Sequence, residues 1–335
     1  MKTQGAGIAV SLGDPAGVGP ELLAECWRRR QPGQMPFFAV GGARLLRAAA
    51  ASRGIDLPVA RIADPAEADA AFAGALPVLG ELDGEWRAGE PDRDGAALAL
   101  ASLTLAASLA ARGEASAIVT GPIAKSRLAA IGFAHPGQTE FVAEACGVVA
   151  EDAVMMLAGP SLRTVPLTVH VALAEVPRVL TSALIVRRAR IVATALARDF
   201  GIAAPRLAIA ALNPHAGEDG RMGDEEARNI APAIAALQAQ GIDATGPHPA
   251  DALFAPRARE TFDVALCMYH DQALIPLKTL DFDAGVNVTL GLPTIRTSPD
   301  HGTAFAIAGK GLAHPGATLA ALTMAGACIR HRRSA

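Results

Sequence analysis

The chain has 335 residues, 51% hydrophobic and 19% charged, which allows about two domains with a large interior. Its formal net charge of -3 leaves no basic excess for a nucleic-acid backbone, and no lysine-rich run marks a membrane surface. Aromatic residues are only 4%, so the interior must be built from Ala, Val, Leu and Ile, and the expected partners are small molecules and copies of the same chain.

Gly5 to Gly13, followed at once by Asp14-Pro15, reads as a first strand over Gly7–Leu12 rather than as a secretory signal. The four cysteines form no Cys-x-x-Cys pair, which argues against a disulfide framework and fits a reducing cytoplasm. Gly13-Asp14-Pro15-Ala16-Gly17-Val18-Gly19 is a glycine-rich turn, and Pro20 opens a helix to about Arg30. Such a turn can offer backbone N–H groups to an anion, or it can be a structural tight turn. It is neither familiar nucleotide loop: Leu22 stands where the dinucleotide fingerprint needs its last glycine, and Gly19-Pro20-Glu21 where a P-loop needs Gly-Lys-Ser/Thr. Phe37–Val40 with Gly41-Gly42 and a helix over 43–53, and Ala115–Thr120 with Gly121-Pro122, repeat a strand, glycine, helix order that predicts parallel βαβ units. Gly80–Asp94 reads as an exposed connection. Ala96–Ala111 is uncharged but mostly alanine, short of the ~20 strongly apolar residues of a spanning helix, and is expected to be a buried helix. His135–Phe141 leads into a further helix, where Thr139 and Glu140 are either ordinary helix starters or substrate contacts.

Three stretches then place histidines at strand ends. Arg163–Val171 alternates apolar and polar residues, with His170 late in the predicted strand. Arg206–Leu212 is an apolar run, followed by Asn213-Pro214-His215 on the exit loop. Val264–Tyr269 reads as a buried parallel strand, with His270-Asp271 at its carboxyl end. Ligands of open α/β sheets bind at the carboxyl ends of strands. One histidine there could equally be a hydrogen-bonded loop residue, so the case rests on three of the eight histidines sharing this setting. Joined by Asp271 or Asp251, these imidazoles suit zinc, cobalt or magnesium. Glu218–Glu226 is a charged loop that reads as a mobile cover, and Asp243–Phe254 reads as turn chemistry ending near Asp251. Lys278, Asn287 and Arg296 are donors of the kind a phosphate needs. Asp300-His301-Gly302-Thr303 precedes a last helix, and Arg330–Arg333 reads as a solvated basic end.

Taken in order, Gly13-Asp14-Pro15-Ala16-Gly17-Val18-Gly19-Pro20-Glu21, Leu212-Asn213-Pro214-His215-Ala216-Gly217-Glu218, Tyr269-His270-Asp271-Gln272 and Asp300-His301-Gly302-Thr303 resemble the 4-hydroxythreonine-4-phosphate dehydrogenase family of vitamin B6 synthesis. The resemblance implies an α/β homodimer whose subunits have two α/β/α domains with parallel-rich sheets. They would be similar to the isocitrate and isopropylmalate dehydrogenase fold, with the active site in the interdomain cleft at the subunit interface. The first domain would take residues 1–125 and about 286–335, and the second, about 126–285, would carry most metal ligands and dimer contacts. His170, His215 and His270 would hold one divalent metal per subunit (zinc, magnesium or cobalt), with His270 reaching across from the other subunit. Thr139, Lys278, Asn287 and Arg296 match the family's substrate and phosphate contacts. Gln138 stands where the family reads Gly-His-Thr-Glu, so a hydrogen-bond donor is kept and a charge is lost. Asp271, Asp251 and Lys125 are the candidates for accepting the alcohol proton.

The implied reaction is NAD- or NADP-dependent oxidation of 4-phosphooxy-L-threonine to 2-amino-3-oxo-4-phosphooxybutanoate, which decarboxylates to 3-amino-2-oxopropyl phosphate. Gln138 keeps open a related substrate, threonate or erythronate phosphate or a dihydrodiol acid. A phosphate acyltransferase or a metal-dependent phosphatase would be a different class, separated by whether NADH appears.

Overall fold

The computed structural model describes residues 6–334; the start of the chain read above, residues 1–5, lies outside them. The strands are β1 (Ala6–Ser11), β2 (Phe37–Val40), β3 (Val59–Ile62), β4 (Leu76–Leu79), β5 (Ala115–Thr120), β6 (Val154–Ala158), β7 (Arg163–Pro166), β8 (Leu207–Ala210), β9 (Ala244–His248), β10 (Val264–Cys267), β11 (Val286–Leu290) and β12 (Ile295–Pro299). They fall into two compact units, residues 1–150 with 292–330, and residues 151–291 with 331–335.

In the first unit the strand order is β3-β4-β2-β1-β5-β12, and every pair is parallel. Phe37–Val40 and Leu76–Leu79 are buried at every position, as parallel strands covered on both faces require. The uncharged segment is the helix Arg93–Arg112. Asp92 caps its start by accepting from Gly95 N at 2.7 Å, and Gly113 ends it in a left-handed conformation (φ 75°). At 20 residues it is long and apolar enough to cross a membrane, contrary to the length argument above, but half of that stretch is buried in this unit. Its fully buried Ser102 accepts from Leu12 N and donates to Val40 O, stitching the helix to the exits of β1 and β2.

The second unit is mixed, in the order β11-β6-β7-β10-β8-β9. β10 runs parallel to β7 and β8, β9 parallel to β8, and β6 antiparallel to β7 and β11. Leu157, Leu162, Phe262, Cys267 and Leu277 lie in its core. The α/β class with parallel-rich sheets is therefore as expected.

Several local readings change. β7 ends at Pro166, so His170 lies on a loop rather than late in a strand. Residues 244–248, read as turn chemistry, form β9, an outer strand in the order, where Pro247 is tolerated because one side of such a strand need not donate. The compact units divide at 150 and 291, whereas the sequence reading puts its boundaries near 125 and 286. Residues 126–150 stay with the first unit because helix Gln138–Ala145 packs on Arg93–Arg112 and Phe133 and Phe141 join Ala96, Ala99 and Leu128. Nor is the basic end simply solvated. Arg332 Nη2 donates to the buried Asp199 at 3.0 Å, and Arg198 binds the same carboxylate with two bonds.

Candidate active site

In the second unit, β10 runs out at Cys267 and Tyr269 holds extended backbone (φ -145°, ψ 167°), so a helix begins at His270 and continues to Asp281. His270 and Asp271 thus sit in the first turn of a helix, where the Asp271 carboxylate also meets the positive end of the helix dipole. Asp271 Oδ1 lies 2.7 Å from His270 Nδ1, and since a carboxylate can only accept, the contact favours the proton on Nδ1 and leaves the Nε2 lone pair available. Gln272, next in the chain and buried, accepts from Met268 N at 2.7 Å and donates to Ala211 O at 2.8 Å. It ties the exits of β10 and β8, the two strands that lead to His270 and His215.

His170 is delivered differently. Leu167 N donates to Cys267 O at 2.7 Å and Thr168 Oγ1 to Met268 O at 2.8 Å, so the chain stays beside the exit of β10 before turning out. The turn puts His170 at φ 55° and exposes it, with its ring centroid 6.2 Å from that of His270. Two imidazoles on one tetrahedral ion, with metal–nitrogen bonds of about 2.0–2.1 Å, have centroids roughly 5.3 Å apart, so the two rings are neighbours but wider apart than ligands of one such ion. Lys278, two turns along the same helix, lines an open groove of about 420 Å³ with His270, Asp271, Leu274, Ile275 and Thr279. Asn287 is not in that groove; it faces Leu157 across β11 and β6, with its buried Oδ1 unbonded.

His215 sits on the most strained backbone among the described residues. His215, Ala216, Gly217, Glu218, Asp219 and Gly220 all have positive φ, from 42° to 85°, and four of them carry a Cβ. Each such L-residue costs about 1–2 kcal/mol in this region, so the turn persists only where its surroundings enforce it. The short helix of Asp251, Ala250–Leu253, packs on this turn. Among the described residues no three His, Cys, Asp or Glu side chains converge as a metal-holding group. The structure therefore brings His170, His270 and Asp271 together, and separately sets His215 beside the helix of Asp251. The donor chemistry suits a divalent ion, and one copy gathers only part of the expected set.

The first unit carries a second cluster, around Arg296. This residue lies in β12 opposite Ile118 of β5 and is only 4% exposed. Its Nη2 donates to Thr120 Oγ1 at 2.8 Å and its Nη1 to Thr139 Oγ1 at 3.2 Å. Burial pulls its pKa down to about 10, partly offset by the Glu140 carboxylate. Thr139 belongs to the first turn of helix Gln138–Ala145, whose N-terminal end attracts an anion. Gln138 Nε2 donates to Gly121 O at 2.9 Å, and its Oε1 is buried without a partner. One of the two amide N–H donors is therefore used on Gly121, and the atom left with no partner is the acceptor Oε1. Lys125 belongs here too: a Cβ built on Gly137 would lie 3.6 Å from its Nζ and 3.1 Å from Glu140 Oε2.

The glycine-rich turn near the start resolves as structural. Ala16 N donates to Asp14 Oδ1, Gly17 N to Asp14 O and Val18 N to Thr303 O, so these amides are spent internally and offer no cradle for an anion. Burial raises the pKa of Asp14, against its bond from Ala16. The Asp300–Thr303 motif serves the same contact, through Thr303.

The chain is similar to known proteins along nearly its whole length. A 4-hydroxythreonine-4-phosphate dehydrogenase from Erythrobacter litoralis is 63% identical over 329 residues, 98% of each chain. The solved 4-hydroxythreonine-4-phosphate dehydrogenase from Klebsiella pneumoniae is 36% identical with a TM-score of 0.84, covering 97% of this chain and 99% of that one. A terephthalate 1,2-cis-dihydrodiol dehydrogenase from Burkholderia xenovorans is 28% identical with a TM-score of 0.65, covering 95% and 97%. The family profile of the pyridoxal phosphate biosynthetic protein PdxA matches residues 34–325, which take in His170, His215, His270, Lys278 and Arg296 with both clusters around them, and to that family this chain belongs.

Proposed function

We propose that the protein oxidises the C3 hydroxyl of 4-phosphooxy-L-threonine, giving the 3-oxo acid that loses CO2 to 3-amino-2-oxopropyl phosphate, in vitamin B6 biosynthesis. The observation that carries a phosphorylated substrate is Arg296: a buried guanidinium beside a helix N-terminus gains most from an arriving phosphate. Thr139 would share the phosphate with it. Gln138 Oε1 would accept from a hydroxyl or ammonium of the substrate, and Lys278 and Asn287 would supply further polar contacts. A bound NAD or NADP would supply the hydride acceptor.

His170, His215 and His270 would hold zinc, magnesium or cobalt. When bound, the ion polarises the alcohol and stabilises the charge that develops on its oxygen. Asp271, committed to His270 Nδ1, orients that imidazole rather than taking the proton, which leaves Asp251 and Lys125 as candidate acceptors. We further propose a homodimer in which His270 completes the partner copy's metal set. Two observations support it: one copy gathers no three ligands, and exposed apolar residues flank the histidines, namely Leu173 beside His170 and Ile275 and Phe282 on and just after the helix of His270. Four free thiols fit a cytoplasmic enzyme.

The test is NADH or NADPH formation from a panel of 4-phosphorylated hydroxy acids and a dihydrodiol acid, with and without added metal. Highest kcat/KM on 4-phosphooxy-L-threonine supports the proposal. Faster turnover of threonate 4-phosphate or of a dihydrodiol acid refutes the substrate, and release of phosphate without NADH refutes the reaction class.

A further inference from the structure

We propose that Glu226 is a positioning residue for His215, acting through the left-handed turn that carries it; this rests on the metal-binding role given to His215 above. The carboxylate is buried, in a wide π-helical turn over Glu226–Ile230. Its Oε1 accepts from Leu212 N at 2.9 Å and from Asn213 N at 2.8 Å, and its Oε2 from Asn213 Nδ2 at 3.0 Å. Asn213 Nδ2 donates also to Glu225 Oε2 at 2.7 Å, so two successive carboxylates grip one amide group.

The grip reaches the strained residues themselves. A Cβ on Gly217, inside the left-handed run, would lie 2.8 Å from Glu226 Oε2. A Cβ on Gly223, just after it, would collide with Asn213 Nδ2 and with Glu225 Oε2. Glycine at both places lets the chain close onto the carboxylates. Glu226 touches no ligand atom. What it fixes is the start of the turn at Leu212 and Asn213 and the side of Gly217, on either side of His215. The turn has backbone bonds of its own, Glu218 N to His215 O and Gly220 N to Gly217 O among them, but four left-handed L-residues each favour ordinary φ values, and the grip of Glu226 opposes that relaxation at both sides of His215. Glu226 and Asn213 stand to His215 as Asp271 stands to His270, except that they orient the backbone where Asp271 orients the ring.

The experiment titrates the full-length protein with Co2+ alone, reading affinity by calorimetry and ligand geometry by the visible absorption of the bound ion. Glu226→Gln keeps the volume but turns an NH2 toward N–H donors, and is expected to weaken Co2+ binding roughly 10–100-fold and shift the absorption, with circular dichroism unchanged. Asn213→Ala, which spares the backbone bonds of Glu226, should act in the same direction and serves if Glu226→Gln does not fold. Adding Ala216→Gly and Asp219→Gly to Glu226→Gln should recover part of the lost affinity, because glycine takes positive φ without penalty. A wild-type protein that binds Co2+ while both single variants bind it equally well overturns the role of Glu226, and so does the absence of rescue in a folded triple variant. A wild-type protein that binds no Co2+ would instead overturn the metal assignment.

Discussion

Replacing Arg296 with Met separates what this residue does for the fold from what it does for a substrate, because the two effects have opposite signs. Burial pulls its pKa well below the ordinary guanidinium value, to about 10, and at about 1.36 kcal/mol per unit this disfavours the charged form by on the order of 3 kcal/mol. A cation whose folded pKa lies below its unfolded one destabilises the fold fully below the folded value, and the penalty fades only as pH rises above about 10 toward the ordinary guanidinium value. At pH 7 the whole cost is present. The bonds to Thr120 and Thr139 offset part of it, and both hydroxyls can redirect their own protons if the guanidinium is removed. Arg296→Met, close in volume and neutral, should therefore leave Tm unchanged or raise it by a few degrees, since 1 kcal/mol moves a protein of this length by about 1–2 °C. A phosphate held bidentately loses two charge-assisted bonds of about 1.5–3 kcal/mol each, so KM for 4-phosphooxy-L-threonine should rise at least ~100-fold. Arg296→Lys should fall between, because an ammonium cannot span both positions. The assays are thermal melting with and without inorganic phosphate, and NADH formation against substrate concentration. A variant that melts well below the wild type yet keeps its KM would show that Arg296 is a structural cation and would refute the reasoning.

Mixing His215→Ala and His270→Ala subunits, each inactive alone, should restore part of the activity if His270 completes the other copy's site; verified heterodimers with no recovery would place each site within one subunit. Gln138→His should change KM for 4-phosphooxy-L-threonine by roughly 10-fold or less, since only the Oε1 acceptor is at stake, about 1 kcal/mol. A gain in kcat/KM on that substrate relative to threonate 4-phosphate would instead mark Gln138 as the residue that selects it. Burial alone would raise the Asp199 pKa, but bonds from Arg198 and Arg332 hold it below the ordinary carboxylate value, so its stabilisation is present above about pH 4 and is lost as pH falls through the lowered pKa. Asp199→Asn should lower Tm at pH 7 by an amount reflecting roughly 1–3 kcal/mol, less than a fully buried pair because Arg198 is partly exposed, and the gap to wild type should close as pH falls below that lowered pKa.

Much of the scaffold was legible because its signals are local. Phe37–Val40 and Ala115–Thr120 are apolar runs closed by glycine, and both strands end where those runs end. The helix Arg93–Arg112 is bracketed by an Asp cap and a glycine that takes positive φ, two signals within one turn of its ends. The start of the helix at His270 was not legible, because Tyr269 offers no side-chain cap and no glycine or proline separates strand from helix. The histidines stood out as candidates by residue type and by lying after predicted strands, although His170 proved to lie on a loop four residues past β7. Their geometry was not legible. His170 and His270 are 100 residues apart in the chain, and Arg296 meets Thr139 and Thr120 across 157 and 176 residues.

The left-handed turn shows the same limit most sharply. Ala216 and Glu218 carry no sequence mark of positive φ, Asp219 only the mild tolerance of aspartate for it, and Gly217 and Gly220 would fit many other turns. What selects this conformation is Glu226, eleven residues beyond His215 and read above only as one more charge in an exposed loop. A buried carboxylate with three N–H donors stabilises one backbone path strongly, and an unfavourable path can be enforced only by such a partner. The residue whose role was hardest to see in the sequence is thus the one on which the placement of the easiest, His215, depends.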